Sequence, residues 1–196
     1  MTWAVVLIKD FETAKQRLSP ALEGSARAEL ARRNAGLALA AARAAGRVLA
    51  VAGSQAAAEL ARAAGAEVLV EARPEGQNPA ARRGIERALA AGAEAVLLLS
   101  SDLPLVTAEA VERLLAKAAS VPAPCALAAP AVGRGGTNAL YLRPPNAIGL
   151  HFGDDSLAKF ERDAVEHGVR FELWEAPELA LDLDEPEDLD LLAAAG

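Results

Sequence analysis

The stretch AEAVLLLSSDLPLVTAEAVERLLAKAA, residues 93–119, decides how this chain is read. Its first part, AEAVLLLS (93–100), is a short apolar run of the kind found in strands covered on both faces. Its last part, TAEAVERLLAKAA (107–119), spaces apolar residues for a helix behind Thr107, a good N-cap. Between them the chain passes Ser100, Ser101 and Asp102, and Leu103-Pro104 turns it. An apolar strand therefore ends on a carboxylate and feeds a helix.

The same unit repeats towards the N-terminus. WAVVLI (3–8), RVLAVAG (47–53) and AEVLVEA (66–72) read as strands. SARAELARRNAGLALAAARAAG (25–46), SQAAAELARAAG (54–65) and NPAARRGIERALAAG (78–92) read as helices, with Ser25 and Ser54 as caps and Gly46 and Gly65 as stops. Strands alternating with helices of this length predict βαβ units and a parallel sheet. The second half changes character. APCALAAPAVGRGGTNALYLRPP (123–145) predicts two strands around a Gly-rich loop, SLAKFERDAVEHG (156–168) a helix, and VRFELWEA (169–176) a strand. Pro186 suits the first turn of a last helix. With no linker or repeat in sight, residues 1–196 read as one domain.

Composition narrows the function. A net charge of −7 argues against a nucleic-acid footprint. No apolar run reaches the roughly 18 residues of a membrane span. The N-terminal stretch lacks the pattern of a secretory signal, so a cytoplasmic protein is expected. The lone cysteine, Cys125, lies in an apolar run and reads as a small buried hydrophobe. The only histidines are His151 and His167, which gives little support to a Ser-His-Asp or Cys-His engine.

Ligands of open α/β sheets bind beyond the carboxyl ends of the strands. Asp102 sits where such an end is expected, either as a simple turn residue or as a ligand. LALDLDEPEDLD (179–190) ends a second apolar run on Asp182 and Asp184, whose i, i+2 spacing in a strand puts both on one face. Carboxylates gathered in this way suit a hard divalent cation such as Mg2+. After the first strand, Lys9, Lys15 and Arg17 form either a phosphate-handling loop or a solvated basic turn. Gly133, Gly135 and Gly136 free the backbone ahead of Thr137 and Asn138. Gly153 and Ser156 stand at a helix mouth and either hold an anion or cap the helix. Asn78 either caps a helix or binds a base. Arg82 and Arg83 read as surface charges. Neither GxxxxGK[ST] nor GxGxxG occurs.

Taken in order, IKDFETAKQRL, GQNPAARRGIERA, LLLSSDLPLVT, GRGGTNALYLRPP, FGDDS and LDLDEPEDL resemble the guanylyltransferases of deazaflavin coenzyme F-420 biosynthesis. These act on 2-phospho-L-lactate or phosphoenolpyruvate. The resemblance spans nearly the whole chain. It implies an α/β, Rossmann-like nucleotidyltransferase fold of the nucleotide-diphospho-sugar transferase type, with a mixed, mostly parallel sheet and helices on both faces. It implies transfer of GMP from GTP to a phosphorylated three-carbon acid, with pyrophosphate released and Mg2+ as cofactor. It further implies that Thr137, Asn138, Gly153 and Ser156 bind the acid and that Lys9, Lys15, Arg17 and Asn78 serve the GTP side. Asp102, Asp182 and Asp184 would hold the metal. The chain departs from the family in reading KQRL for KSRL, GQN for GLN, and Leu157 for an aromatic residue. Rival readings are a nucleotidyltransferase acting on a sugar phosphate or the molybdenum cofactor, a silent nucleotide binder, and a phosphohydrolase using Asp182-Leu183-Asp184.

Overall fold

The three leucines of the opening stretch, Leu97, Leu98 and Leu99, have at most 1% exposure each. Burial of such a side chain contributes on the order of 2 kcal/mol. Both faces of their strand must therefore be covered, and the computed structural model, which describes residues 1–133 and 135–194, shows how. Strands β1 (Thr2–Ile8), β2 (Arg47–Ala52), β3 (Glu67–Val70) and β4 (Ala95–Ser100) are mutually parallel. They alternate with helices α1 (Gly24–Ala42), α2 (Gln55–Ala63) and α3 (Gln77–Ala90), and α4 (Ala108–Ser120) follows β4. Then come β5 (Cys125–Pro130), β6 (Thr137–Arg143), α5 (Ser156–Glu166), β7 (Arg170–Leu173), α6 (Pro177–Ala180) and α7 (Pro186–Ala194).

The seven strands form one sheet in the order β3-β2-β1-β4-β6-β5-β7, and β6 is antiparallel to both neighbours. Side chains alternate along β1. Ala4, Val6 and Ile8 join one core layer with α1, α2 and α4. Trp3, Val5 and Leu7 join the other with α3 and α5. A Cβ on Gly84 would stand 2.4 Å from Val5 Cγ1, so only glycine lets α3 lie this close to β1. The expected mixed, mostly parallel sheet with helices on both faces is present.

The local differences have physical causes. Helix α1 starts at Gly24 with Glu23 as its N-cap residue, so Ser25 is not the cap. The chain tightens into a 3-10 turn over Arg43–Ala45 before Gly46 stops it. Ser54 and Thr107 do cap, accepting from the backbone N–H groups of Ala57 and Ala110. Cys125 is buried in β5, and burial pushes its thiol pKa up. Among the described residues no helix is long and apolar enough to cross a membrane.

Reversal of β6 is what shapes the functional edge. Leu99 of β4 pairs with Ala139 of β6, so β6 begins where β4 ends. Thr137 and Asn138 are thereby brought beside the carboxyl ends of β1, β2 and β4.

Candidate active site

A cavity of about 440 Å³ opens along that edge. Lys9, Arg17, Asp102, Thr137, Asn138, Gly153, Ser156, Asp182 and Asp184 all line it.

Lys15 does not line it but is buried behind Asp102 and Asp184. Its backbone is left-handed, with φ 61° and ψ 29°. That conformation costs a residue with a Cβ roughly 1–2 kcal/mol. The return is a lysine whose side chain is 1% exposed, with its ammonium 2.6 Å from Asp102 Oδ1 and 3.9 Å from Asp184 Oδ1. The ammonium also donates to the Leu183 carbonyl. Lys9 approaches from solvent, 3.8 Å from Asp102 Oδ2. Arg17 is exposed and lies 3.5 Å from Glu185.

The two acidic segments, far apart in sequence, meet directly. The Leu183 N–H donates to the Asp102 carbonyl at 3.1 Å. Buried Asp188 fixes the next turn by accepting from the N–H groups of Asp184 and Glu185 at 2.8 and 2.7 Å. Residues 182–184 form an irregular segment rather than the expected strand, yet Asp182 and Asp184 both reach the cavity. Among the described residues no three acidic, histidine or cysteine side chains gather closely enough to cage a metal by themselves. Asp102 and Asp184 face a shared lysine, and Asp182 lines the same cavity.

Across β6 lies a different chemistry. The Ser156 hydroxyl donates to Thr137 Oγ1 at 3.0 Å, and both residues are buried. Ser156 opens α5 without capping it, because the N-cap residue is Asp155, itself left-handed at φ 52°. Gly153 has φ +121°, a region that side chains avoid. The Leu157 N–H donates to the Gly135 carbonyl, which ties this loop to the glycine loop ahead of β6. Arg134 of that loop lies outside the described residues.

Two expected ligands have structural partners. Asn78 clamps the Phe152 backbone: Nδ2 donates to the carbonyl at 3.0 Å and Oδ1 accepts from the N–H at 2.8 Å. Asn138 Nδ2 donates to the carbonyls of Leu179 and Ala180 at 2.9 and 3.1 Å, holding the C-terminal segment against β6. Arg83 is no idle surface charge, since it holds Glu71 at 2.5 Å and also binds Glu75.

Asp163 of α5 anchors the other end of the loop. It accepts from the Gly149 N–H at 2.8 Å and from His151 Nε2 at 2.6 Å, and His167 Nδ1 lies 2.6 Å away. Burial raises its pKa, but the bonds from His151 and Gly149 and the nearby His167 outweigh that and hold it below the usual carboxylate range. His167 is shifted upward, first by the Asp163 carbonyl and then by its charge.

This edge, with acids and lysines at its centre and hydroxyls to one side, has close relatives. The family described as "Guanylyl transferase CofC like" matches residues 2–196. The chain belongs to that family. It is 42% identical to the phosphoenolpyruvate guanylyltransferase of Rubrobacter xylanophilus, covering 99% of this chain and 94% of that protein. It is 33% identical to the 3-phospho-D-glycerate guanylyltransferase of Colwellia psychrerythraea, covering 96% and 90%. It is 33% identical to the 2-phospho-L-lactate guanylyltransferase of Methanothermobacter thermautotrophicus, covering 96% and 82%. Among solved structures, a provisional nucleotide-diphospho-sugar transferase of Desulfovibrio desulfuricans superposes with TM-score 0.76 at 19% identity, covering 97% and 85%. Rv0371c of Mycobacterium tuberculosis, solved in complex with manganese, superposes with TM-score 0.58 at 22% identity, covering 100% and 99%. The CofC-like chain is therefore a nucleotidyltransferase in fold and in family.

Proposed function

We propose that this CofC-like protein transfers GMP from GTP to the phosphate of a phosphorylated three-carbon acid, within the F-420 pathway to which the resemblance points. The observation that supports it best is the division of the cavity. Asp102, Asp184, Lys9 and Lys15 lie at the ends of β1 and β4, and the buried Thr137–Ser156 hydroxyl pair lies one strand away. Two ligands laid along one sheet edge would meet beside Asp102.

The two carboxylates fit a divalent cation, because Mg2+ is commonly held by one or two carboxylates, with phosphates and waters completing its shell. Asp102 and Asp184 would hold it, with Asp182 beside them. Bound there, it would neutralise charge on the reacting phosphates. The chain's own residues do the rest. Thr137, Ser156 and the Gly153 backbone, which takes a positive φ open to glycine, orient the acid. Lys9 faces the polyphosphate and balances charge as it develops, and the buried Lys15 ammonium holds Asp102 and Asp184 in place behind it. One oxygen of the acid's phosphate attacks the α-phosphorus of GTP. A P–O bond forms, the bond to the β-phosphate oxygen breaks, and pyrophosphate leaves. The attacking oxygen is already ionised near neutral pH, so no protein base is needed. That suits a site with no histidine at its centre.

Phosphoenolpyruvate is the acceptor we favour, on the similarity to the Rubrobacter protein. The test is mass-spectrometric detection of a guanosine diphosphate-linked acid after incubation with GTP, Mg2+ and phosphoenolpyruvate. Asp102→Asn should keep the fold, at a lower Tm because Lys15 loses its ion-pair partner, and form none. A fully active Asp102→Asn enzyme, or no product from the wild type with any of the three acids, would contradict the proposal.

A further inference from the structure

At the end of the cavity remote from Thr137 and Ser156 stands a carboxylate that the transfer chemistry does not use. Glu71 directly follows β3, and its N–H donates to the Ala52 carbonyl at 2.9 Å, which fixes its position against β2. Its side chain is only 7% exposed, yet it lines the cavity. Arg83 of α3 holds Oε1 at 2.5 Å, and so sets the direction of the carboxylate. A carboxylate has about four lone-pair sites, so one arginine contact leaves it able to accept more bonds.

Its surroundings are those of a flat apolar ligand. Val51, Pro74 and Ala80 line this end, together with Gly53, Gly76 and Gln77. Neighbouring strands are about 4.8 Å apart, so the ends of β3 and β4 lie roughly 14 Å apart. A nucleotide with its phosphates at Asp102 reaches this end with its base. Asn78 turns its amide to the Phe152 backbone, and Gln77 is neutral, so Glu71 is the one carboxylate among these residues.

We infer that Glu71, oriented by Arg83, is the residue that selects guanine, accepting hydrogen bonds from N1–H and the exocyclic N2 amino group. Guanine carries these two donors side by side on one edge, matched to the two oxygens of a carboxylate. Adenine presents an acceptor, N1, on the same edge, so a carboxylate facing it would set lone pair against lone pair. The inference rests on the reading that this cavity binds GTP.

The test compares GTP, ITP and 2′-deoxy-GTP as substrates for wild type and for Glu71→Gln. ITP differs from GTP only in lacking the N2 amino group. One hydrogen bond to a charged group corresponds to roughly 10- to 100-fold. The wild type should therefore prefer GTP over ITP by a factor in that range, and Glu71→Gln should lose most of the preference through KM, with kcat little changed. Arg83→Met should lower the same ratio by less. An unchanged GTP-to-ITP ratio in Glu71→Gln overturns the inference. So does a variant whose discrimination against 2′-deoxy-GTP falls instead, since that places Glu71 on the ribose. Calorimetric binding of GDP and IDP reports the base preference without turnover. A failure of guanylyl transfer is thereby separated from a failure of Glu71 to read the base.

Discussion

Replacing Asn78 by alanine would cut both hydrogen bonds to the Phe152 backbone, at 3.0 and 2.8 Å. The bonds span 74 residues of sequence and join the start of α3 to the loop that carries Gly153 and Ser156. A neutral hydrogen bond contributes about 1 kcal/mol net, so the pair is worth about 2 kcal/mol. For a chain of this size that corresponds to a fall in Tm of roughly 4–8 °C. If the whole cost falls on ordering the loop, the acid should bind roughly 30-fold more weakly. The GTP side should be nearly untouched, because the amide faces Phe152. Steady-state kinetics with each substrate varied in turn reads this directly: the KM for the acid rises and the KM for GTP holds. A rise confined to the KM for GTP, with no fall in Tm, would show that Asn78 touches the nucleotide and would refute the reasoning.

Other outcomes follow from the same geometry. Lys15→Met leaves Asp102 and Asp184 facing each other without their ammonium. Breaking such a pair costs about 3 kcal/mol, so Tm in metal-free buffer should drop by roughly 6–12 °C, and added Mg2+ should raise it more than in the wild type; a wild-type Tm in both buffers would count against the assignment. Ser156→Ala removes a buried bond to Thr137 and should raise the KM for the acid roughly tenfold at constant KM for GTP; equal increases in both would mean that the loop serves both ligands. His167, beside Asp163, His151 and Glu166, has its folded pKa raised, so its contribution is complete below the unfolded value of about 6.5 and fades as pH rises through the folded value. The Tm gap between wild type and His167→Gln should thus be widest near about pH 5.5 and close by about pH 9; a gap that widened with pH would contradict the shift.

The parallel half of the fold was legible because its strands are continuous apolar runs and its helices carry their caps, as Ser54 and Thr107 show. The edge of the sheet that ends on Asp102 was legible for the same reason. The clamp made by Asn78 was not, because its partner, Phe152, lies 74 residues away and only the fold joins them. Asp163 was hidden in an ordinary amphipathic helix pattern, where an acid reads as solvated. Lys15 was read as a phosphate handler from its place after β1. Its buried ammonium between two acids depends on a left-handed backbone that no neighbouring glycine announces. Glu71 was missed although it obeys the rule that revealed Asp102, a short apolar strand ending on a carboxylate. AEVLVEA is simply a shorter and more exposed copy of that pattern.

The most direct measurement is pyrophosphate release by the purified protein with Mg2+ and GTP, with phosphoenolpyruvate, 2-phospho-L-lactate and 3-phospho-D-glycerate each supplied separately. The account predicts release that requires both GTP and one of these acids and that disappears in Asp102→Asn. Release from GTP alone, or none with any of the acids despite measurable GTP binding, would contradict it.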